Sequence, residues 1–335
     1  MLPALSVLIP ARDAAATLEE ALASVAGQTF TDWEALVVDD GSTDDTAELA
    51  ESWTQRDRRF RLLRQEAPVG IVGCLNRAVD EARAPVLARM DADDVALPTR
   101  FERQLARFAS GDVHAVGCQV RYFPPAQVAG GALRYEAWLN SVITPEEHDR
   151  DMFVECPLAH PTMMLQADAL RFVGGYAARG WPEDYDLLLR LWEAGYGMAK
   201  VPEVLLHWRE APGRTSRTQP EYSLDALVRC RAHYLARTHL RELPVLVFGA
   251  GPVGKAMARA LQAEGVRLEA FVDVDPRKIG QTVHGVPVLN RWEAFRLRGR
   301  AFGVAALGQP GARAELRQAL VSADWVEGVH FRCVA

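Results

Sequence analysis

The sequence predicts an α/β protein built on a doubly wound, mostly parallel sheet, with a second, smaller α/β unit behind it. Three observations lead there. Short apolar strands alternate with amphipathic helices through the first hundred residues. Polar residues recur directly after three of those strands, at Arg12-Asp13, Asp39-Asp40 and Asp91-Asp93. A new strand–turn–helix alternation, rich in glycine at the turn, begins near Leu243-Pro244. The chain has 335 residues, room for two domains, and its 49 % hydrophobic and 24 % charged content is that of an ordinary globular protein.

Taken in order, Leu5–Ile9 reads as a buried strand stopped by Pro10. Thr17 with Glu20 reads as a capping box, opening a helix whose apolar face holds Leu18, Leu22 and Val25. The second strand spans Trp33 to Val38 and ends on Asp39-Asp40-Gly41-Ser42. A helix from about Thr43, a strand at Phe60–Leu63 and a helix through Cys74–Val79 follow. The strand Val86–Met90 runs into Asp91-Ala92-Asp93-Asp94, and Pro98–Phe108 reads as a helix with Phe101, Leu105 and Phe108 as its stripe. From Arg121 to Asp151 the pattern blurs, and Pro124, Pro125, Gly130 and Gly131 predict an irregular segment over the site. Residues 219–243 read as a linking helix between a first domain, 1–218, and a second, 244–335.

Several classes are excluded. The formal net charge is −6 and arginine is scattered, so no nucleic-acid groove is expected. Five cysteines without a CxxC pairing fit reduced thiols in a cytoplasmic protein. The first residues lack a basic region and a long apolar core, so no signal peptide is expected. No apolar stretch reaches the ~18 residues of a membrane span, which leaves peripheral contact with the inner face of a membrane open.

The crowded carboxylates Asp91, Asp93 and Asp94 carry the strongest chemical signal. Like charges this close are unfavourable unless a cation offsets them. Mg2+ and Mn2+ prefer oxygen ligands and are commonly held by one or two carboxylates plus substrate phosphates. The cluster therefore suggests a grip on a diphosphate through a metal, although an acidic loop capping the next helix explains Asp94 equally well. Asp39-Asp40-Gly41-Ser42 alone fits a strand-to-helix turn as readily as a binding loop. Glu183-Asp184 after Pro182 alone fits a helix N-terminus.

Motif order narrows these readings. Val7-Leu8-Ile9-Pro10, Gln28 to Glu34, Val37 to Asp44, Leu75-Asn76, Ala88 to Asp94, His160-Pro161-Thr162, Gly174-Gly175-Tyr176 and Glu183 to Leu187 follow one another as in family-2 glycosyltransferases. The first ~215 positions resemble that family and its GT-A fold. The resemblance implies an inverting, metal-dependent transfer of a sugar from a nucleotide-diphosphate sugar to an acceptor hydroxyl. It implies Asp184 as general base with Glu183 beside it, and a donor site of Pro10, Arg12, Asp13, Asp39, Asp40, Asn76, Arg89 and Asp91. Asp93 is the implied ligand of Mn2+ or Mg2+, with His207 as a second, and His160 and Trp181 are implied acceptor contacts. Relatives carry a Tyr-Asn pair where Ala11 and Arg12 stand here, so a base-stacking tyrosine is missing; UDP is the default base. Relatives also place a histidine after a Tyr-Arg pair, whereas His207 precedes Trp208-Arg209.

The second unit opens with Val245–Phe248 and then Gly249-Ala250-Gly251-Pro252-Val253-Gly254, with Asp273 ending the next strand about 20 residues on. This is a GxGxxG arrangement in its strand–turn–helix context, and it predicts a Rossmann-like fold. Phe271 to Pro276 and Gly285 to Leu289 resemble the small nucleotide-binding domain that precedes sugar acyltransferases. Gly249, Gly251, Gly254 and Asp273 would then face a nucleotide or nucleotide-sugar, or the unit would be a packing module with an empty site.

The expected function is glycosyl transfer in surface polysaccharide or glycoconjugate synthesis, with a glycan or glycolipid acceptor. The alternative from another class is a non-catalytic nucleotide-sugar-binding regulatory protein. A nicotinamide-dependent oxidoreductase is disfavoured by the short second domain.

Overall fold

The computed structural model describes residues 2–211, 213–238, 240, 242–309 and 311–335. The chain divides into two compact units. One holds the chain up to His148 with Pro157–Arg179 and Glu183–Arg214; the other holds Asp149–Cys156, Gly180–Pro182 and Thr215–Ala335.

In the first unit the elements run β1 (Leu5–Ala11), α1 (Ala15–Ala26), β2 (Trp33–Asp39), α2 (Thr46–Arg56), β3 (Phe60–Arg64), α3 (Gly70–Glu81), β4 (Val86–Arg89), β5 (Val95–Ala96), α4 (Arg100–Phe108), β6 (Ala115–Phe123), α5 (Gly130–Ser141), α6 (Pro145–Asp151), β7 (Met164–Gln166), α7 (Ala167–Phe172), α8 (Glu183–Glu193) and β8 (Met198–Arg209). Among the described residues the strands form one eight-stranded sheet in the order β3-β2-β1-β4-β7-β6-β8-β5. β1 pairs in parallel with β2 and β4, β2 with β3, and β6 with β8; β7 is antiparallel to both β4 and β6. The carboxyl ends of β1, β2, β3, β4, β6 and β8 therefore share one edge, where such sheets bind ligands. Both faces are covered: every residue of β2 is buried, as its near-continuous apolar run requires.

Several elements differ from the sequence reading, each for a local reason. Pro10 lies inside β1 rather than ending it, opposite Val38 of β2. It is tolerated because the pairing of β1 with β4 stops at Leu8, whose carbonyl accepts from Met90, so no partner waits for a donor at Pro10 on that side. Thr17 is not the cap of α1, whose N-cap is Ala14; its hydroxyl donates to the carbonyls of Ala14 and Ala92. The stretch 121–151 is largely ordered as the end of β6, α5 and α6. Asn140 of α5 exchanges two hydrogen bonds with the backbone of Val120, and Glu136 accepts the N–H of Tyr122, so tertiary contacts supply what the local pattern lacks. The buried side of α4 is Arg100, Phe101 and Gln104, while Leu105 and Phe108 are half-buried.

The second unit contains α9 (Thr215–Thr218), a 3-10 turn at Pro220–Tyr222, α10 (Leu224–Thr238), β9 (Val245–Phe248), α11 (Pro252–Ala263), β10 (Leu268–Val272), β11 (Thr282–Val283), β12 (Val286–Leu289), α12 (Arg291–Phe295), β13 (Phe302–Ala305), α13 (Ala312–Ser322) and β14 (Phe331–Cys333). The expected linking helix over 219–243 is thus α10 with a preceding turn; positions 239 and 241 lie outside the described residues. The sheet order is β11-β12-β10-β9-β13-β14, parallel except for the β11–β12 hairpin. All five cysteines are buried and none forms a disulfide. Among the described residues no helix is long and apolar enough to cross a membrane.

Candidate active site

The site is assembled at the shared carboxyl edge of the first unit. Beneath it, α4 supplies a buried polar scaffold. Arg100 donates to the carbonyl of Arg89 at 2.7 Å and to Gln104 Oε1 at 2.9 Å; Gln104 donates to the carbonyls of Val116 (2.8 Å) and Thr162 (2.7 Å). Both side chains are fully buried. Their hydrogen bonds tie the end of β4, the start of β6 and the His160–Thr162 turn together. This explains why Arg100 and Gln104 join Phe101 on the buried face of α4: a buried donor must find an acceptor, and the carbonyls of Arg89, Val116 and Thr162 are waiting there.

Above the scaffold stand the carboxylates. Oxygen atoms of Asp91, Asp93 and Asp94 all lie within 4.8 Å of one another. Burial, reinforced by Asp91, pushes the Asp93 carboxyl up to about 6, with Arg214, Arg89 and Arg209 opposing. Burial, with Asp91 and Asp93 beside it, holds the Asp94 carboxyl well above the usual carboxylate range. One Asp94 oxygen accepts the N–H of Arg209 at 2.7 Å; the other is buried with no hydrogen-bond partner. Three mutually repelling carboxylates with an orphaned oxygen fit a hard divalent cation. His207 lies outside this group: it sits in β8 opposite Val95 of β5, with its ring 5.8 Å from that of Phe123.

Arg89 links the carboxylates to the other half of the site. Its guanidinium pairs with Asp91, is almost fully buried, and leaves Nε without a hydrogen-bond partner. Asp91, Tyr176 and Glu183 together outweigh burial and hold its proton more firmly than usual. At the start of α8, Glu183 is buried and Asp184 half-buried. Burial first, and Glu183 second, push the Asp184 carboxyl up to about 6, against His160, the N–H of Tyr185 and Arg89. His160 lies between Glu183, 3.4 Å from Nδ1, and the Tyr176 hydroxyl, 3.3 Å from Nε2.

The remaining predicted donor residues are mostly engaged with the backbone. Asp13, at φ 46°, accepts from the N–H (2.8 Å) and hydroxyl of Thr43, while its own N–H donates to Ser42. Arg12 is half exposed and lies 3.8 Å from Asp13. Asp39 is buried, accepts the Ser42 N–H at 3.3 Å, and lines an open cleft of about 510 Å³ with Ser42, Asp44, Arg64 and Gln65. Asp40 accepts the N–H groups of Val69 (2.7 Å) and Gly70 (3.0 Å), donors that the start of α3 would otherwise leave unpaired. Asn76 donates to the Tyr176 carbonyl and accepts the Tyr176 N–H, both at 2.9 Å. It is therefore a clamp on the Gly175-Tyr176 backbone, where Gly175 adopts φ 70° and a Cβ would meet Asn76 Oδ1 at 2.8 Å. Replacing Asn76 with Ala strips two backbone groups of their partners and is expected to destabilise the chain by about 1–3 kcal/mol, read as a lower midpoint in denaturant unfolding.

Sequence reasoning did not single out Tyr176 as part of the site, and it left Asp94 open between the carboxylate cluster and a cap of the next helix. Tyr176 was visible only within Gly174-Gly175-Tyr176, and its meeting with His160 depends on how the chain folds back. Trp181 belongs to the second unit, with its ring 5.4 Å from that of His233.

In the second unit Gly249 adopts φ 109°, and a Cβ on Gly254 would lie 1.7 Å from the Gly249 carbonyl, so the glycines let α11 pack tightly on β9. Asp273 accepts the N–H of Ala250 (3.0 Å) and of Asp275 (2.9 Å) and pairs with Lys278 at 2.8 Å. Against burial, these partners hold its carboxyl below the usual range.

Comparisons with known proteins agree with this architecture. The family model for glycosyl transferase family 2 matches residues 6–173, and that for a CoA binding domain matches 241–307. The putative glycosyltransferase EpsE of Bacillus subtilis is 30 % identical over 229 residues, covering 67 % of this chain and 79 % of that protein. The O-antigen biosynthesis glycosyltransferase WbnJ of Escherichia coli is 31 % identical over 174 residues, covering 50 % of this chain and 63 % of its own. Among solved structures, S. aureus TarS 1-349 in complex with UDP-GlcNAc superposes with a TM-score of 0.57 at 17 % identity, covering 78 % of this chain and 72 % of that one. The mannosyltransferase PcManGT from Pyrobaculum calidifontis, in complex with GDP-Man and Mn2+, superposes with a TM-score of 0.53 at 19 % identity, covering 97 % and 81 %. The fold of the first unit is that of GT-A glycosyltransferases, and a Rossmann-like unit follows it in the chain.

Proposed function

From membership of glycosyl transferase family 2, to which this chain belongs, we propose that it moves a sugar from a nucleotide-diphosphate sugar to an acceptor hydroxyl, with inversion at the anomeric carbon. That it is a glycosyltransferase follows from the family; donor, acceptor, stereochemistry and metal are this proposal. The observation that carries it is the meeting, around buried Arg89, of the Asp91-Asp93-Asp94 cluster with the Glu183-Asp184 start of α8.

In this reading Asp184 removes the proton of the acceptor hydroxyl as the new C–O bond forms and the bond to the diphosphate breaks. A carboxylate with proton affinity near 6 is ionised at neutral pH yet basic enough to serve. Asp91, Asp93 and Asp94 would hold Mn2+ or Mg2+, which when bound supplies positive charge against the departing diphosphate. Arg89 adds a fixed cation on the same side. Asp39 accepts from the base at the cleft beyond β2, and Asp13, Asp40 and Asn76 keep the surrounding loops in place. The proposed setting is the assembly of a surface polysaccharide or glycoconjugate, as the O-antigen biosynthesis role of the Escherichia coli relative suggests, at the cytoplasmic face of the membrane. The second unit is proposed as an accessory module that binds a nucleotide or nucleotide-sugar.

The neighbours carry both UDP-GlcNAc and GDP-Man, so both donor types are the first to test. Thermal unfolding of the full chain with UDP, UDP-GlcNAc, GDP or GDP-mannose, each with Mn2+ or with EDTA, reads the grip directly. One nucleotide is expected to stabilise the chain only with the ion, by about 2.7 kcal/mol at a hundredfold excess over Kd. An equal shift in EDTA would remove the metal from the proposal.

A further inference from the structure

The cleft beyond β2 holds two hydrogen-bonding groups that the protein itself leaves unused. Asp39 and Gln65 both line it. Asp39 Oδ1 takes the Ser42 N–H at 3.3 Å, and among the described residues Oδ2 takes no donor. Gln65 accepts from Arg77 Nη1 at 2.6 Å through Oε1, and its side-chain NH2 has no acceptor among them. Arginine carries donors only, so Arg77 fixes which end of the Gln65 amide faces it. The carbonyl is turned to Arg77, and the NH2 is the end left for a ligand. Both groups remain reachable from solvent, unlike the orphaned oxygen of Asp94. We infer that Asp39 and Gln65 read guanine, so that the donor is a guanosine-diphosphate sugar rather than the UDP-sugar taken as the default from sequence. This inference deepens the proposed donor site and rests on it.

Sheet order decides the pattern the cleft offers. β3 flanks β2 on one side only, and the Gln65 N–H donates to the Asp39 carbonyl at 2.9 Å. The amide donor therefore stands on the β3 side of the carboxylate. Arg64, paired in register with Asp39, is a second donor on that side. On the loop after β2 the donors are spent: the Ser42 N–H on Asp39, and the N–H and hydroxyl of Thr43 on Asp13. The Ser42 hydroxyl accepts from the Asp13 N–H. The rest of the polar lining is acidic, from Asp44, Asp45, Glu48 and Glu66. A ligand entering from the β3 side thus meets a donor, then the two acceptors of one carboxylate.

Guanine is the common base whose edge matches that order. Its O6 accepts, and its N1–H and N2–H2 donate side by side. The Asp39 carboxylate takes both donors in one bidentate, charge-assisted contact, while the Gln65 NH2 serves O6. Uracil presents acceptor, donor, acceptor, so one of its carbonyls would face a carboxylate oxygen. Adenine and cytosine each offer one amino donor beside a bare ring nitrogen, which repels the second oxygen. The acidic surround acts in the same direction, because the N1/N2 edge of guanine is its electropositive edge and like polarity is penalised at a contact.

The test is calorimetry on the full chain with Mn2+ and four nucleotides: GDP, inosine diphosphate, UDP and ADP. GDP is expected to bind at least about tenfold more tightly than UDP or ADP. Inosine diphosphate keeps O6 and N1–H but lacks the N2 amino group. It should bind about tenfold more weakly than GDP, the loss of one hydrogen bond to a charged group. These comparisons use the wild-type chain, so no variant has to fold. Asp39→Asn exchanges one acceptor for a donor and should bind xanthosine diphosphate, which has a carbonyl at C2, more tightly than GDP. Gln65→Glu sets a carboxylate against O6 and should erase the preference for GDP over UDP. UDP binding as tightly as GDP, or inosine diphosphate matching GDP, overturns the reading of the base and leaves the donor site standing. A GDP preference that persists in Asp39→Asn overturns the part assigned to Asp39. Binding of none of the four removes the donor site, and the inference with it.

Discussion

Asp184→Asn is expected to leave the chain folded and able to bind donor, and to slow release of the nucleoside diphosphate by about 10²–10⁴-fold, the usual contribution of a positioned base. The substitution keeps the shape of the side chain and its hydrogen bond to the Tyr185 N–H at 2.7 Å, so the start of α8 should survive. What is lost is the lone pair that accepts the acceptor proton. The sign of the pH dependence follows from the raised proton affinity. Asp184 works only when ionised, so wild-type turnover should fall as pH drops through about 6. That acid limb should be absent from the residual rate of the Asn variant. Steady-state rates between pH 5 and 8, with donor affinity measured by calorimetry, separate the cases. A variant with weakened donor binding and an unchanged rate at saturation would place Asp184 in binding rather than in proton transfer.

Asp93→Ala is expected to abolish the ion-dependent thermal shift and to reduce turnover by at least the 10²–10³-fold typical of losing one electrostatic stabiliser of a departing charge. The same change should leave the metal-free chain no less stable than the wild type. Asp93 is raised to about 6 by burial and by Asp91, so in the folded chain its charge is unfavourable without a cation. Removing it relieves repulsion against Asp91 and Asp94. Loss of turnover with undiminished stability is what a binding carboxylate predicts. If Asp93 instead only capped the loop, the metal-free chain would melt earlier and the ion response would persist. Asp94 makes the contrasting case, because its carboxylate holds the Arg209 N–H and so anchors the end of β8.

Much of the fold was legible because hydrophobic period and turn chemistry are local properties. The alternation of strands and helices up to Phe108, the glycine turn at Gly249 to Gly254 and the acidic ends of β2 and β4 follow from spacing along the chain. What spacing does not contain is which side chains meet after the sheet has formed. Asn76 and Asp40, expected near the donor, hold the backbone of Tyr176 and the start of α3. His207 occupies the right stretch of sequence, but β8 carries it opposite Val95 and outside the carboxylate group. The helix α5 was missed because its glycine-rich start has little intrinsic preference for helix; the supporting contacts from Glu136 and Asn140 reach to β6.

The sequence by itself determined the two α/β units, the edge at which acidic residues gather and the family of the chain, since each is written in the order and period of neighbouring residues. Only the tertiary structure decided the burial that raises Asp93 and Asp184, the place of Arg89 between them and the seat of His160 against Glu183. The physical reason is that proton affinity and hydrogen-bond satisfaction depend on solvent exclusion and on partners distant in the chain, such as Tyr176 for Asn76 and Arg209 for Asp94.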